Sequence, residues 1–122
     1  MNNEIIEITE LRNMDPRFTA YELLTNRLDH IGGHIILYKI VNEQGKFNLT
    51  DCGWTLQALK MYGIGISGRV ADRIDELLAD HHVYRGIQDS TLFTKLCSED
   101  ELSDEVTNFL DVIESIYKEF LG

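Results

Sequence analysis

The 122-residue chain is poor in cysteine, proline and basic side chains, and it contains no long apolar run. Its two cysteines, Cys52 and Cys97, cannot build a disulfide framework and read as reduced thiols. The single proline, Pro16, follows Asp15 and marks a break or turn. The apolar run Ile35–Tyr38 stops at Lys39, far short of the roughly 18 residues of a membrane span. The opening stretch Met1–Glu7 has neither a basic n-region nor an apolar h-region, so no secretory signal is expected. Together with reduced thiols, this makes the cytoplasm the expected location.

Basic residues number 11 against 21 acidic ones, a formal net charge of −10. Phosphate contacts need a basic face, so direct nucleic-acid binding is excluded, and so is an anionic membrane surface. A protein with a basic surface is the partner this charge leaves open. The surplus is unevenly placed. Residues 89–122 hold nine acids against Lys95 and Lys118, a net of −7, while residues 19–50 balance at zero. At 43 % apolar, the chain has enough material for one real core.

Residues 1–18 read as an N-terminal arm or short helix, and residues 19–122 as a single α+β domain. Between Phe18 and Leu28 the pattern allows either a helix through Tyr21, Leu24 and Leu28 or a strand through Tyr21, Leu23 and Thr25. Gly32-Gly33 is a turn signal. The β-branched and aromatic run His34–Val41 predicts a strand, followed by the turn Asn42–Gly45 and a return over Lys46–Thr50. Asp51 is placed to cap a helix from about Cys52 to Tyr62, with Cys52, Leu56 and Leu59 inward and Gly63 at its end. Ser67 caps a second helix carrying Val70, Ala71, Ile74, Leu77 and Leu78, which ends at His81-His82. Val83–Ile87 and Thr91–Leu96 predict a second hairpin. Ser98 with Glu101 gives a capping-box pattern ahead of an amphipathic helix. Its stripe is Leu102, Val106, Phe109, Leu110, Ile113, Ile116, Tyr117 and Phe120, and its outer face is acidic. The expected fold is therefore an antiparallel sheet of two hairpins against two central helices and a long C-terminal helix.

No residue pattern dictates a reaction. Gly63-Ile64-Gly65-Ile66-Ser67-Gly68 has the letters of a dinucleotide fingerprint, but a helix precedes it where a strand is required. His30 and His34 are separated by the glycine turn, and His81 and His82 are adjacent, so neither pair has metal-ligand spacing. Cys52 sits near a predicted helix N-terminus, which favours a thiolate, but the neighbouring Asp51 opposes it. No cofactor, metal or catalytic set is expected.

The stretches Glu22-Leu23-Leu24-Thr25, Leu28-Asp29, His34–Tyr38 and Leu49-Thr50-Asp51-Cys52-Gly53-Trp54-Thr55-Leu56 followed by Leu59 resemble the family named domain of unknown function 1828. Its members are small proteins of bacteria and their prophages. The most specific part is Thr50-Asp51-x-Gly53-x-Thr55-Leu56, and the resemblance spans roughly residues 20–120. Cys52 stands where the family often has a second acid, and Asn26 where it often has proline. The resemblance implies a strand beginning at Glu22 and a mobile-element setting, but no established activity. Without chemistry, the same stretch reads as a strand end at Thr50, a helix cap at Asp51 and a glycine that lets Trp54 pack closely.

The expected function is a non-enzymatic acidic protein-binding domain. The setting sharpens it to an inhibitor of a nucleic-acid-handling enzyme, such as a bacterial defence nuclease. Asp104, Glu105, Asp111 and Glu114 are the expected contact residues. The alternative is a small hydrolase or nuclease-like enzyme using Asp51 with His34. A homodimer pairing Ile64, Ile66 and Tyr84 is a third reading.

Overall fold

The computed structural model describes residues 3–12 and 15–122; residues 1, 2, 13 and 14 of the expected arm lie outside them. The strands are β1 (Ile5–Leu11), β2 (Thr19–Leu28), β3 (His34–Val41), β4 (Phe47–Thr50), β5 (Val83–Arg85) and β6 (Leu92–Thr94). The helices are α1 (Trp54–Met61), α2 (Gly68–Asp80) and α3 (Leu102–Leu121). A single 3-10 turn, Glu99–Glu101, leads into α3. The architecture is α+β, one six-stranded antiparallel sheet in the order β1-β2-β3-β4-β6-β5 with three helices.

Both expected hairpins are present, and two strands extend the sheet beyond them. Residues 5–11 form an edge strand, not a short helix, because Ile8 and Glu10 pair with Leu23 and Tyr21 of β2. β2 resolves the open choice over residues 18–28 in favour of the strand. Leu23 and Thr25 face inward at alternate positions, and Leu23 lies opposite Leu37. Near its end β2 leaves register with β3. There the Thr25 hydroxyl donates to the Ile35 carbonyl at 2.7 Å, which supplies a hydrogen bond the irregular ladder lacks.

β6 joins β4 loosely but with several bonds. Thr50 pairs with Phe93, and Phe47 and Cys97 exchange backbone bonds at 2.9 and 2.7 Å. Between those points the Thr94 hydroxyl accepts the Leu49 N–H at 3.0 Å, standing in for a ladder carbonyl.

The core lies between one sheet face and the helices. Leu23, Leu37, Phe47 and Leu49 meet Leu56 and Leu59 of α1, Ile74 and Leu78 of α2, and Val106, Phe109, Leu110, Ile113 and Ile116 of α3. The α3 periodicity holds, widened by Val112, and the capping box forms with the Ser98 N–H donating to Glu101 at 2.8 Å. The start of α3 is also tied to the sheet, because Lys39 pairs with Glu99 while its ammonium lies over the Tyr21 and Phe47 rings. α1 ends in a Schellman arrangement. Gly63, at φ 82°, donates to Lys60 and Ile64 donates to Leu59.

Four local expectations are corrected. Cys52 is exposed, not inward, because β4 reaches α1 through two left-handed residues, Cys52 at φ 55° and Gly53 at φ 87°. Trp54 does not pack closely; it is 63 % exposed. Ile64 and Ile66 are half-buried against the core, so of the residues expected to pair in a dimer only Tyr84 is exposed. Ser67 does precede α2, but its side chain makes no capping bond.

Candidate functional site

Folding consumes much of the chain's positive charge. Arg27 on β2 donates to Glu4 at 2.7 Å, to Glu114 at 2.9 Å and to Asp111 at 2.9 Å. Its side chain is 23 % exposed. Burial opposes that charge, but Glu114, Glu4 and Asp111 outweigh it and raise the guanidinium pKa. One cation thus gathers three carboxylates, and this cluster remains negative. Elsewhere Arg73 pairs with Glu76 and Glu119, and Arg85 with Asp75.

The four acids singled out from the sequence fall into separate environments. Asp111 and Glu114 come together on Arg27, and Glu4 of the same cluster also accepts from the Thr107 hydroxyl at 2.9 Å. Glu105 is half-buried. Its carboxyl is held above the usual value by desolvation and then by Glu101, against the pull of Lys95 and His82. Asp104 is exposed and forms no salt bridge among the described residues.

Sequence reasoning missed the neighbour of this surface. β1 is the first strand of the sheet, so it pairs with β2 on one side only. It runs beside the start of α3, where Ile5, Ile6 and Ile8 with Leu102 make an apolar groove bordered by Glu7, Glu99 and Asp100. Ile6 and Ile8 are exposed. Glu7, Asp100 and Asp104 form no salt bridge among the described residues. The signal available in the sequence was the mixture of Ile5, Ile6 and Ile8 with Glu4, Glu7 and Glu10, β-branched residues among acids without a clean period of two.

The residues of the enzymatic alternative lie around one cleft without bonding to each other. Asp51 is 2 % exposed and accepts three backbone N–H groups: Gly53 at 2.8 Å, Thr55 at 3.0 Å and Leu92 at 3.0 Å. The N-cap of α1 is Gly53, not Asp51, but Asp51 still satisfies a first-turn N–H of α1 through Thr55, and it also ties β6 to α1. His34 Nδ1 bonds to the Thr25 carbonyl at 2.8 Å. A carbonyl only accepts, so His34 carries its proton on Nδ1. Cys52 is not activated. Desolvation and then the Asp51 charge raise its thiol pKa.

The cleft that His34 and Asp51 share is about 430 Å³ in volume and lies between β3, α1 and α3. β4 pairs with β3 only from Tyr38 onward, which leaves the start of β3 without a strand on that side. No set of three His, Cys, Asp or Glu side chains able to hold a metal occurs among the described residues. None of their helices is long and apolar enough to cross a membrane.

The fold and these surfaces define a small α+β domain with an acidic flank and an apolar cleft between β3, α1 and α3. The model of the family described as Domain of unknown function DUF1828 matches residues 25–116, and the chain belongs to that family. No curated protein and no solved structure matches the chain.

Proposed function

We propose that the chain is a non-enzymatic, cytoplasmic protein-binding domain that engages a basic face of another protein through its acidic flank. The observation that carries this reading is the edge of β1 that β2 leaves unpaired, lying beside carboxylates that form no salt bridge among the described residues. A free strand edge offers unpaired N–H and C=O groups to an added strand. Negative charges along it deter a second acidic copy and favour a lysine- or arginine-rich segment. Asp104, Glu105, Asp111 and Glu114 extend the same field along α3.

Basic surfaces that bind nucleic acid are the widest class such a flank would suit, since carboxylates there compete with phosphates. The finer reading is an inhibitor of a nucleic-acid-handling enzyme, such as a bacterial defence nuclease, in a mobile-element setting. To test it, the partner is captured on the tagged chain and identified, then bound to a labelled DNA duplex. The chain should displace the duplex in proportion to its occupancy. A captured partner that keeps its duplex at saturating chain would remove the inhibitor reading.

The enzymatic alternative has the shared cleft in its favour. Against it, both Asp51 oxygens are already engaged by backbone N–H groups and His34 is turned to Thr25. A general base must reach the proton it takes.

A further inference from the structure

The cleft between β3, α1 and α3 has the properties of a ligand site, separate from the acidic flank. Its floor is apolar, formed by Ile35, Ala58 and Ile113. Its mouth carries large exposed side chains, with Trp54 at 63 %, Met61 at 75 % and Tyr62 at 57 % exposure. A volume of about 430 Å³ falls in the usual span for small-molecule pockets. Large apolar groups gathered around a cavity mouth are the kind of patch that marks a binding site.

Inside the cleft, His30 is held between two tyrosines. Its ring meets Tyr62 edge-on, with centroids 5.4 Å apart and planes at 82°, and lies 4.9 Å from the Tyr117 ring. His30 Nδ1 is buried and has no hydrogen-bond partner among the described residues. A buried ring nitrogen without a partner is unusual and costly, and a ligand atom in the cleft would supply one.

The charge of the lining narrows the ligand. No lysine or arginine lines the cleft, whereas Asp29 and Asp51 do. Both Asp51 oxygens are already used, by Gly53, Thr55 and Leu92, and Asp29 Oδ1 accepts from Ile31 and Gly33, which leaves Asp29 Oδ2 as an acceptor without a hydrogen-bond donor among the described residues, one that the N–H of a heterocycle could reach. The two carboxylates contribute negative potential, which disfavours an anion. Aromatic walls favour a planar ring. We infer that this cleft binds a neutral aromatic heterocycle, its ring against Tyr62, Tyr117 and Trp54 and a ring nitrogen at His30 Nδ1. A heterocycle with one N–H and one bare nitrogen meets either tautomer of His30.

The experiment is a titration of the full chain, followed by amide and side-chain NMR, with three probes of similar size. Benzimidazole is the heterocycle, indene the hydrocarbon of the same shape, and benzoate the anion. Benzimidazole should give saturable shifts at His30, Trp54, Tyr62 and Tyr117, about tenfold tighter than indene, with none from benzoate. Ala58→Trp, which fills the floor, should abolish those shifts. His30→Phe, which keeps a ring but removes the nitrogens, should bring benzimidazole down to the affinity of indene and remains informative should Ala58→Trp fail to fold. Absence of saturable shifts, equal affinity for benzimidazole and indene in the wild type, or undiminished selectivity in His30→Phe would each overturn the inference.

Discussion

The Asp51 carboxylate accepts the backbone N–H of Leu92, 41 positions away, at 3.0 Å. The same oxygen accepts from Gly53 and its twin from Thr55, so one buried side chain fixes the β4–α1 turn and the first residue of β6. That arrangement accounts for Thr50-Asp51-x-Gly53 as a structural signature, with no chemistry required of it.

Asp51→Asn should therefore lower stability by about 2–4 kcal/mol, since charge-assisted bonds to buried donors are lost and an amide N–H₂ meets other donors. Urea denaturation measures this. A loss under about 0.5 kcal/mol, the size expected of a surface change, would contradict the clip.

Gly53 has φ 87° and is buried, and a Cβ there would sit 3.4 Å from the Asp89 carbonyl oxygen. Backbone strain outweighs that contact, so Gly53→Ala should cost about 1–2 kcal/mol. Asn, which tolerates the left-handed region better, should cost less in the same thermal melt.

Replacing Arg27 by Gln leaves Glu4, Asp111 and Glu114 facing one another. The expected loss is about 1–3 kcal/mol, between the values for exposed and buried pairs. Added salt should narrow the gap between variant and wild type, because it weakens the ion pairs of one and the repulsion of the other. A gap that widens with salt would argue against a charge network.

Glu105 gives the pH test. Its carboxyl pKa is raised in the fold, chiefly by desolvation and then by Glu101. A group raised above its unfolded value contributes stability that is fully present below the unfolded pKa and lost as pH rises through the folded one. At neutral pH the ionised side chain is therefore unfavourable, and Glu105→Gln should gain up to about 0.5 kcal/mol. That gain should shrink as pH falls through the raised folded pKa, where the wild-type carboxyl takes up its proton, and be gone below the ordinary value of 4.5. A melting-temperature series across pH for both proteins decides it.

The legible parts of the fold were those in which one local pattern agreed with its surroundings. His34–Val41 is β-branched and ends in a turn, and Ser98 with Glu101 announces α3. β1 was not legible because an edge strand buries little and so lacks a clean alternation. β2 was ambiguous because Tyr21, Leu23 and Leu24 serve either period. Cys52 was misplaced because the spacing suggested an immediate helix, where the chain first needs two left-handed residues to turn.

The candidate surfaces were less legible than the elements. Acids on α3 were visible in the sequence, but their engagement by Arg27 is set by a contact 84 positions apart. The cleft joins His30 of the β2–β3 turn, Thr55 of α1 and Tyr117 of α3, and no spacing in the chain announces it.

The central claim is that the carboxylates beside β1 recognise a basic partner. Glu7, Asp100 and Asp104 form no ion pairs among the described residues, so reversing them to Lys leaves the Arg27 network in place. The direct measurement is the partner captured on tagged wild-type chain and on the Glu7→Lys, Asp100→Lys, Asp104→Lys variant, with equal folding verified by circular dichroism. The account predicts a partner with a basic surface on the wild type, released by added salt and lost from the variant. Equal capture by both proteins, or a wild-type partner without a basic surface, would contradict it.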